Sequence, residues 1–422
     1  METRLQQALD RRRTEGTLRT LKSISELEKE SVDFSSNDYL GLASCPRQVR
    51  LVETAFNEIS CQKQLGATGS RLLSGDSVYC RQLEEWLAQH VHNRPAALIA
   101  NSGYDANLSI TSCLPVDVVV MDELCHNSIV MGVRWLKKRE RNTVIRKFRH
   151  NNVEHLLEML QSSTAAGNVV LVIVESVYSM DGDVAPLQQI LDTCREFRAQ
   201  VVVDEAHGLG IYGRTNRRDL AVEEHDADEN AIGGTGVLAA LELESHPALL
   251  CSIHTFGKAA GCHGAVLCCS SIVLRDYLLN YARPFIYSTA LPLHSLVTIQ
   301  CAYETMIAND GEERRKRVFE LVRLFQRLVK DMDADIHLCP SDSPIQALLM
   351  PGNNVCVDFC SLMRRIHNIL LYPIRAPTVP QGQERVRIIL HAHNTPSQVT
   401  HLVECIGKTL LDMNMLKKRS RL

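Results

Sequence analysis

The middle of the chain alternates short apolar runs with longer segments of mixed polarity. The runs are rich in valine, isoleucine and leucine and show no polar alternation, which is typical of strands buried on both faces of a parallel sheet. The intervening segments, such as residues 186–197, have helical patterning and predict the crossovers. The pattern predicts an α/β domain with a doubly wound, mostly parallel sheet. Its strands are expected at residues 96–100, 118–121, 169–174, 201–203, 249–253 and 265–268.

The two ends of the chain follow different patterns. Residues 1–30 predict a helix in which leucines recur among charged residues, and the chain beyond about 300 predicts a smaller α+β lobe. The polar, acidic residues 216–232 predict a surface loop. The expected organisation is an N-terminal helix and segment over 1–60 that packs with the small domain, a large domain over 61–295, and a small α+β domain over 296–422.

Composition narrows the class of protein. The chain has 422 residues, of which 45% are hydrophobic and 23% charged, as in globular enzymes. A net charge of -3 gives no reason to expect nucleic-acid binding. No apolar run approaches the roughly 20 residues of a membrane span. The 15 cysteines are scattered and follow no secretory signal, so reduced thiols in an intracellular compartment are expected.

Polar residues directly follow several of the predicted strands. Because ligands bind beyond the carboxyl ends of strands in doubly wound sheets, these residues are expected to share a pocket. They comprise residues 101–104 and 175–182, Asp204 and His207, and Thr255 and Lys258.

Lys258 and Asp204 together indicate a cofactor. A lysine that forms a Schiff base and an aspartate that pairs with a pyridinium nitrogen are what a protein supplies to pyridoxal phosphate. Each residue alone is more often a solvated or structural one, but both in this order after strands are a strong signal. His207 is placed to reach the hydroxyl group of the cofactor ring.

The phosphate of such a cofactor has candidate ligands as well. Ser102, Gly103 and Tyr104 open a predicted helix whose free N–H groups suit an anion, and the glycine allows close backbone approach. Thr255 adds a hydroxyl group. His126, which follows the strand at 118–121, is a candidate for stacking on the ring, with a structural histidine as the alternative.

Other motifs have simpler interpretations. Residues 233–236 (GGTG) follow a polar loop rather than a strand, so they indicate a turn and not a dinucleotide site. The Cys-His pairs at 125–126 and 262–263 and the histidines at 391 and 393 lack the paired spacing of a zinc site, and no metal is expected. The arginines at 11–13 either meet a coenzyme A pyrophosphate or form a solvated helix face.

Several segments, in the same order along nearly the whole chain, resemble the α-oxoamine synthases. The resemblance implies a fold-type I, pyridoxal-phosphate-dependent homodimer with active sites at the subunit interface. The matching segments are 34–42 (FSSNDYLGL), 66–75 (GATGSRLLSG), 101–107 (NSGYDAN), 175–183 (ESVYSMDGD), 203–208 (VDEAHG), 255–258 (TFGK), 286–289 (IYST) and 374–380 (IRAPTVP).

The resemblance also implies roles for individual residues. Lys258 would form the internal aldimine, Asp204 would pair with the pyridinium nitrogen, and His207 would bond the ring hydroxyl. The remaining roles follow from the matched motifs. His126 would stack on the ring, and Ser179 would lie near the ring hydroxyl. The phosphate would be held by Ser102, Gly103, Tyr104 and Thr255, together with Ser288 and Thr289 of the other subunit.

The resemblance implies substrate ligands as well. Arg387 would bind the amino-acid carboxylate beside Arg375, and Arg19 and Asn37 would lie near the acyl substrate.

The implied reaction is a decarboxylative condensation of an amino acid with an acyl-CoA thioester. L-alanine and pimeloyl-CoA, which give 8-amino-7-oxononanoate, coenzyme A and carbon dioxide in biotin biosynthesis, are the leading pair. A sister enzyme that uses glycine, serine or a longer acyl-CoA is one alternative. A catalytically silent partner subunit is another alternative. A plain aminotransferase shares the cofactor chemistry but would not be expected to contain the matched segments.

Two features depart from the family pattern or add to it. Asp204 and Lys258 are 54 residues apart, which is longer than the family leads us to expect, and the excess falls in the acidic loop. Residues 214–218 (RTNRR) replace an expected glycine-arginine-glycine stretch. The chain ends in Ser420-Arg421-Leu422, a conservative version of the Ser-Lys-Leu peroxisomal address, so a peroxisomal location is expected, with the cytoplasm as the alternative.

Overall fold

The computed structural model describes residues 1–19, 31–59, 65–164, 167–215, 232–332, 336–376 and 378–419. The chain divides into two compact units, and each is described by itself. The large unit comprises Asp38–Ser179 and Val184–Lys316, and the small unit comprises Met1–Asn37, Met180–Asp183 and Arg317–Leu422.

Twelve strands and fourteen α-helices make up the described part of the chain. The strands are β1 (Val32–Asp33), β2 (Ala96–Ala100), β3 (Val118–Asp122), β4 (Val144–Phe148), β5 (Val170–Glu175), β6 (Gln200–Asp204), β7 (Leu249–Thr255), β8 (Ala265–Cys269), β9 (Ile345–Leu349), β10 (Ile369–Leu370), β11 (Tyr372–Ile374) and β12 (Arg385–Ile389). The helices are α1 (Glu2–Thr14), α2 (Pro46–Glu58), α3 (Val78–Trp86), α4 (Gly103–Thr111), α5 (Asn127–Arg139), α6 (Val153–Thr164), α7 (Leu187–Glu196), α8 (Val237–Ala240), α9 (Ile272–Tyr281), α10 (Arg283–Tyr287), α11 (Leu293–Ile307), α12 (Asn309–Lys330), α13 (Asn353–His367) and α14 (Pro396–Arg419), with a π-helical turn at Leu87–Val91 after α3.

The large unit contains a seven-stranded sheet in the order β2-β8-β7-β6-β5-β3-β4. Only β8 is antiparallel to its neighbours in this sheet, so the predicted doubly wound, mostly parallel sheet is confirmed. All six predicted strands are present. Strand β4 was not predicted, because this edge strand is largely exposed and carries Arg146 and Lys147 among its apolar residues.

Four strands of this sheet are buried on both faces, including the edge strand β2. Every residue of β2, β3, β5 and β8 is buried, and Val119, Ile173 and Val202 are completely inaccessible to solvent. Side chains of successive strand residues point to opposite faces, so helices must cover both sides. Polar side chains are therefore concentrated where the strands end.

The small unit holds two shorter sheets. Strands β11, β12 and β9 form an antiparallel sheet, and β1 pairs with β10 in parallel. Residues 180–183 belong to this unit because Asp181 forms an ion pair with the buried Arg385, and Ser341 Oγ donates a hydrogen bond to the Gly182 carbonyl at 2.9 Å.

The domain boundaries differ from those expected at 60 and 295. The large unit begins at Asp38 and ends at Lys316. Helix α11, expected in the small domain, packs against α2 and α3, so it belongs to the large unit together with residues 46–58. Burial of its apolar face, which includes Val297 and Cys301 next to Val52, explains the assignment.

The N-terminal helix is shorter than expected. Helix α1 ends at Thr14, and Gly16 has a φ of +64°, a left-handed conformation that stops helices. Residues 20–30, most of the predicted loop at 216–232, and the terminal residues 420–422 lie outside the described residues. Among the described helices, none combines the length and apolar character that crossing a membrane requires.

A buried carboxylate links β6 to the short helix α8. Glu205 is completely buried and accepts hydrogen bonds from Ser176 Oγ at 2.6 Å and from the backbone N–H groups of Val237 and Leu238 at 3.1 and 2.7 Å. Burial raises the pKa of Glu205 to about 7, although the three donors oppose this shift. Glu205 therefore holds the first turn of α8 and titrates near neutral pH.

The raised pKa predicts how stability depends on pH. The stabilising contribution of Glu205 is complete below its unfolded-state pKa of 4.5 and is lost as pH rises through about 7. Replacing Glu205 by Gln removes acceptors for buried donors and should cost about 1–3 kcal/mol. We expect the difference in thermal unfolding midpoint between wild type and Glu205→Gln to shrink from pH 5 to pH 8.

Glu85→Gln, at a solvent-exposed position, is the control and measures how removing one glutamate charge by itself changes the unfolding midpoint with pH. A Glu205→Gln difference that stays constant or grows with pH would contradict the assignment of the titration to this residue.

Candidate active site

The carboxyl ends of β2, β5, β6 and β7 open at one edge of the large sheet, because these strands run in the same direction. Asp204 is the last residue of β6 and is buried. Its carboxylate accepts hydrogen bonds from Asn107 Nδ2 at 2.7 Å and from the Ala206 N–H at 2.9 Å. These two donors fix the orientation of the carboxylate, which is what pairing with a ring nitrogen requires.

Lys258 lies in the turn that follows β7 and is half-buried. It is close enough to His126 to act on it electrostatically. Lost hydration lowers the pKa of His126, and the positive charge of Lys258 adds to this effect, whereas Asp204 opposes it. The structure therefore brings these three predicted residues together around one space, with the His126 imidazole favoured in its neutral form.

His126 begins helix α5 and is held from two sides. Its backbone N–H donates a 2.5 Å hydrogen bond to Glu175 Oε1, and its Nδ1 lies 2.6 Å from Ser128 Oγ. Part of the residue remains exposed to solvent, although the ring has lost enough hydration to lower its pKa. A partly exposed imidazole with a fixed position is suited to stacking on a planar ligand.

His207 is buried and follows Glu205 by two residues. Its Nδ1 shares a 2.6 Å hydrogen bond with the hydroxyl group of Tyr39, which is also buried. This hydrogen bond fixes the plane of the imidazole.

The predicted phosphate ligands form a narrow cradle. Ser102 caps helix α4 by accepting a hydrogen bond from the Asp105 N–H at 3.1 Å, so Gly103 and Tyr104 lie in the first turn of the helix. A Cβ atom on Gly103 would overlap Thr255 Oγ1. The residues therefore fit a phosphate group, because only glycine lets the helix end and the threonine hydroxyl approach the same point.

Two further predicted segments lie in the large unit. Ser179 is half-buried beyond β5. Ser288 and Thr289 follow α10, and the Thr289 carbonyl accepts a 2.8 Å hydrogen bond from Asn101 Nδ2 of the same chain. Asn101 directly precedes the cradle, so this segment is adjacent to the phosphate site in its own chain, and its reach into a second subunit stays a prediction.

The four predicted substrate ligands lie in the small unit. Arg387 is in β12 opposite Tyr372 of β11, and Arg375 follows β11, so both arginines are carried by the same strand pair. Arg375 Nη1 donates a 2.6 Å hydrogen bond to the Gly16 carbonyl, three residues before the exposed Arg19. Asn37 is half-buried at the end of the unit's first segment.

The sequence analysis assigned no role to three residues that support the site. Tyr39 bonds His207, Asn107 bonds Asp204, and Glu175 holds the His126 backbone. Glu175 is also opposite Asp204 in the sheet, and burial followed by the negative charge of Asp204 raises its pKa well above the usual range. Membership of the matched segments was the only signal available for Tyr39 and Asn107, whereas Glu175 was also among the polar residues expected to share the pocket.

Comparison with known proteins agrees with this geometry. Residues 29–406 match the protein family described as aminotransferase class I and II. The chain belongs to this family. Proteins named 8-amino-7-oxononanoate synthase are 35% identical in Emericella nidulans, over 94% of both chains, and 32% identical in Marinobacter nauticus, over 95% of both.

Solved structures show the same fold. A serine palmitoyltransferase from S. paucimobilis, described with a bound pyridoxal-phosphate–myriocin aldimine, has a TM-score of 0.77 and 24% identity and covers 91% of this chain and 88% of that one. The 8-amino-7-oxononanoate synthase of Francisella tularensis has a TM-score of 0.70 and 23% identity, with coverages of 92% and 99%. The predicted fold-type I fold, family and pyridoxal phosphate cofactor are confirmed.

The cradle gives a direct test of cofactor binding. Gly103→Ala should weaken pyridoxal phosphate binding by about 1–3 kcal/mol, or roughly tenfold to a hundredfold, because the added methyl group displaces the Thr255 hydroxyl. The measurement is a titration of apoprotein with the cofactor, followed by absorbance.

Gly257→Ala is the matched control, since a Cβ atom there meets only the Cys262 carbonyl oxygen, at 3.7 Å. Equal affinities for the two variants would show that the phosphate does not occupy the cradle.

Proposed function

We propose that this protein condenses L-alanine with pimeloyl-CoA to give 8-amino-7-oxononanoate, coenzyme A and carbon dioxide, a step of biotin biosynthesis. The observation that carries the proposal is the identity of 32–35% along nearly the full chain to proteins of that name. The cluster of Lys258, Asp204 and His126 at the strand ends supports the chemistry.

Each residue of the large-unit site has a defined task in this reaction. Pyridoxal phosphate, when bound, stores the electron pair left on the amino-acid α-carbon. The Lys258 amine binds the cofactor and later takes and returns the α-proton as a general base and acid. Asp204, oriented by Asn107, holds the proton on the ring nitrogen. His126 stacks on the ring face.

The remaining groups orient the cofactor and the substrates. His207, fixed by Tyr39, and Ser179 bond the ring hydroxyl group, and the cradle at Gly103 and Thr255 holds the phosphate. The guanidinium group of Arg387 suits the planar amino-acid carboxylate because it offers two parallel donors. Of the other predicted ligands in the small unit, Arg375 lies close to this carboxylate. Arg19 and Asn37 lie near the acyl chain.

A coenzyme A release assay tests the proposal. Purified holoenzyme is given L-alanine, glycine or L-serine with pimeloyl-CoA or palmitoyl-CoA, and free thiol is measured over time. We expect turnover with L-alanine and pimeloyl-CoA. Lys258→Ala should lower the rate by at least roughly 10²–10⁴-fold, because the general base is lost.

Each other outcome overturns a different part of the proposal. Turnover with serine and palmitoyl-CoA alone would keep the chemistry and overturn the named product. Absence of turnover with every pair, with the cofactor bound, would favour a silent partner subunit.

We further propose that the active enzyme is a homodimer in which Ser288 and Thr289 of one subunit reach the phosphate of the other. Large apolar side chains near this segment are exposed, among them Leu73 and Tyr287, with 84% and 74% of their surface accessible. The segment that carries Leu73 lies next to the one that carries Tyr287, because the Ala290 N–H donates a 2.9 Å hydrogen bond to the Gly69 carbonyl. Patches of this kind are commonly covered by another chain.

Subunit mixing tests the shared site. Lys258→Ala and the double variant Ser288→Ala/Thr289→Ala are each expected to be weakly active. After unfolding and refolding together, heterodimers should contain one complete site and restore up to about a quarter of wild-type activity. No recovery would mean that the segment serves the site of its own chain.

The last three residues support a peroxisomal location, because Ser-Arg-Leu resembles the Ser-Lys-Leu address. A fluorescent protein fused ahead of the full chain should enter peroxisomes, and the same fusion lacking residues 420–422 should remain in the cytosol. Identical distributions of the two fusions would contradict this proposal.

A further inference from the structure

A cluster of possible metal ligands lies inside the large unit, away from the strand-end site. Ser252 and His254 are on the same face of β7, and Cys268 of β8 pairs directly with Ser252, so all three point to one side of the sheet. The other face of these strands belongs to the main apolar core and carries Cys251 and Cys269.

A local irregularity brings a second histidine onto this face. The π-helical turn Leu87–Val91 ends at His92, whose N–H donates to the Leu87 carbonyl at 3.0 Å. Such turns are rare and frequently occur at functional sites. The imidazole rings of His92 and His254 stack with centroids 3.8 Å apart, and both residues are buried.

Three potential ligand atoms converge here. One ring nitrogen of each histidine and the Cys268 sulfur all lie within 4.8 Å of one another. His254 Nδ1 is buried and has no hydrogen-bond partner in the described part of the chain. A buried, unpaired imidazole nitrogen next to a thiol and a second imidazole is an uncommon arrangement for a purely structural core.

One nitrogen of each imidazole ring has a polar partner of the kind found in metal-binding histidines. His92 Nε2 lies 3.0 Å from the Tyr303 hydroxyl group, and His254 Nε2 lies 3.0 Å from Ser252 Oγ. A second ring nitrogen bonded to a neighbouring group fixes the tautomer and directs the other lone pair at the ion.

The local charge selects the kind of ion. Arg94 is buried nearby, where its guanidinium group bonds the carbonyls of Glu244 and Leu249, and its charge acts on both histidines and on Cys268. A divalent ion bound to one thiolate would place a second net positive charge beside Arg94. A monovalent ion bound to a thiolate adds no net charge, which makes its burial far less costly.

We propose that His92, His254 and Cys268 form a buried site for a soft monovalent metal ion, with Cu⁺ as the best fit. Two imidazoles and one thiolate are a copper-binding set, and of the metals that thiolate favours, Cu⁺ is the one with a single positive charge. Binding forms a bond between Cu⁺ and the Cys268 sulfur and releases the thiol proton to solvent, with no change of oxidation state. The ion would anchor β7 directly before Thr255, which carries one wall of the phosphate cradle.

The test compares two neighbouring cysteines on opposite faces of β8. Holoenzyme is loaded with Cu⁺ without oxygen and then equilibrated with a chromophoric Cu⁺ chelator. Wild type should retain one more Cu⁺ per chain than Cys268→Ser or His254→Ala. Cys269→Ser, the matched control, should retain as much as wild type. Cu⁺ that is held by other cysteines of the chain is common to all variants, so it cancels when their Cu⁺ contents are subtracted.

X-ray absorption of the wild-type protein at one Cu⁺ per chain needs no variant and should show two nitrogen neighbours and one sulfur neighbour. Equal retention by wild type and Cys268→Ser, equal loss in Cys269→Ser, or a shell of sulfur atoms alone would each overturn the site.

Discussion

Burial of the large sheet on both faces is the constraint on which the rest of the structure depends. With helices on either side, every residue of β5 and every residue of β6 after Gln200 is buried, and functional side chains can emerge only at the strand ends. Asp204 occupies such an end, and its carboxylate is oriented by Asn107 from helix α4. The same helix begins at Gly103, so one element both aligns the aspartate and offers its N-terminus to a phosphate. A cofactor with a ring nitrogen at one end and a phosphate at the other matches this spacing of partners.

The electrostatics of the strand ends differ from residue to residue because the carboxyl groups have different partners. Glu175 and Glu205 are almost fully or fully buried, and burial raises the pKa of both. Asp204, which pairs with Glu175 in the sheet and directly precedes Glu205, accepts hydrogen bonds from two N–H donors, which fix the orientation of its carboxylate. The lowered pKa of His126 completes a site in which the stacking imidazole is neutral.

The two sides of the β7–β8 pair serve different purposes. One face contributes Ile253 and Leu267 to the main core, whereas the other carries the stacked histidines and Cys268. Buried polar side chains cost free energy unless they are hydrogen-bonded. The protein supplies such a partner to one nitrogen of each ring, namely Tyr303 for His92 and Ser252 for His254. The proposed ion accounts for His254 Nδ1, which has no hydrogen-bond partner among the residues that the structure describes.

The sequence pattern was sufficient to predict six of the seven strands of the large sheet, since buried strands read as continuous apolar runs, but it did not reveal the exposed edge strand β4. Lys258 and Asp204 were identified because each directly follows such a run. Only the tertiary structure showed that α11 packs in the large unit, that Tyr39 bonds His207, and that His92 meets Cys268. These pairs are far apart in the sequence, and neither periodicity nor local spacing encodes which distant segments meet. The sequence by itself determined the buried strands of the large sheet, the cofactor chemistry and the family, whereas the folded structure decided the partners, because contacts between distant residues exist only after the chain has packed.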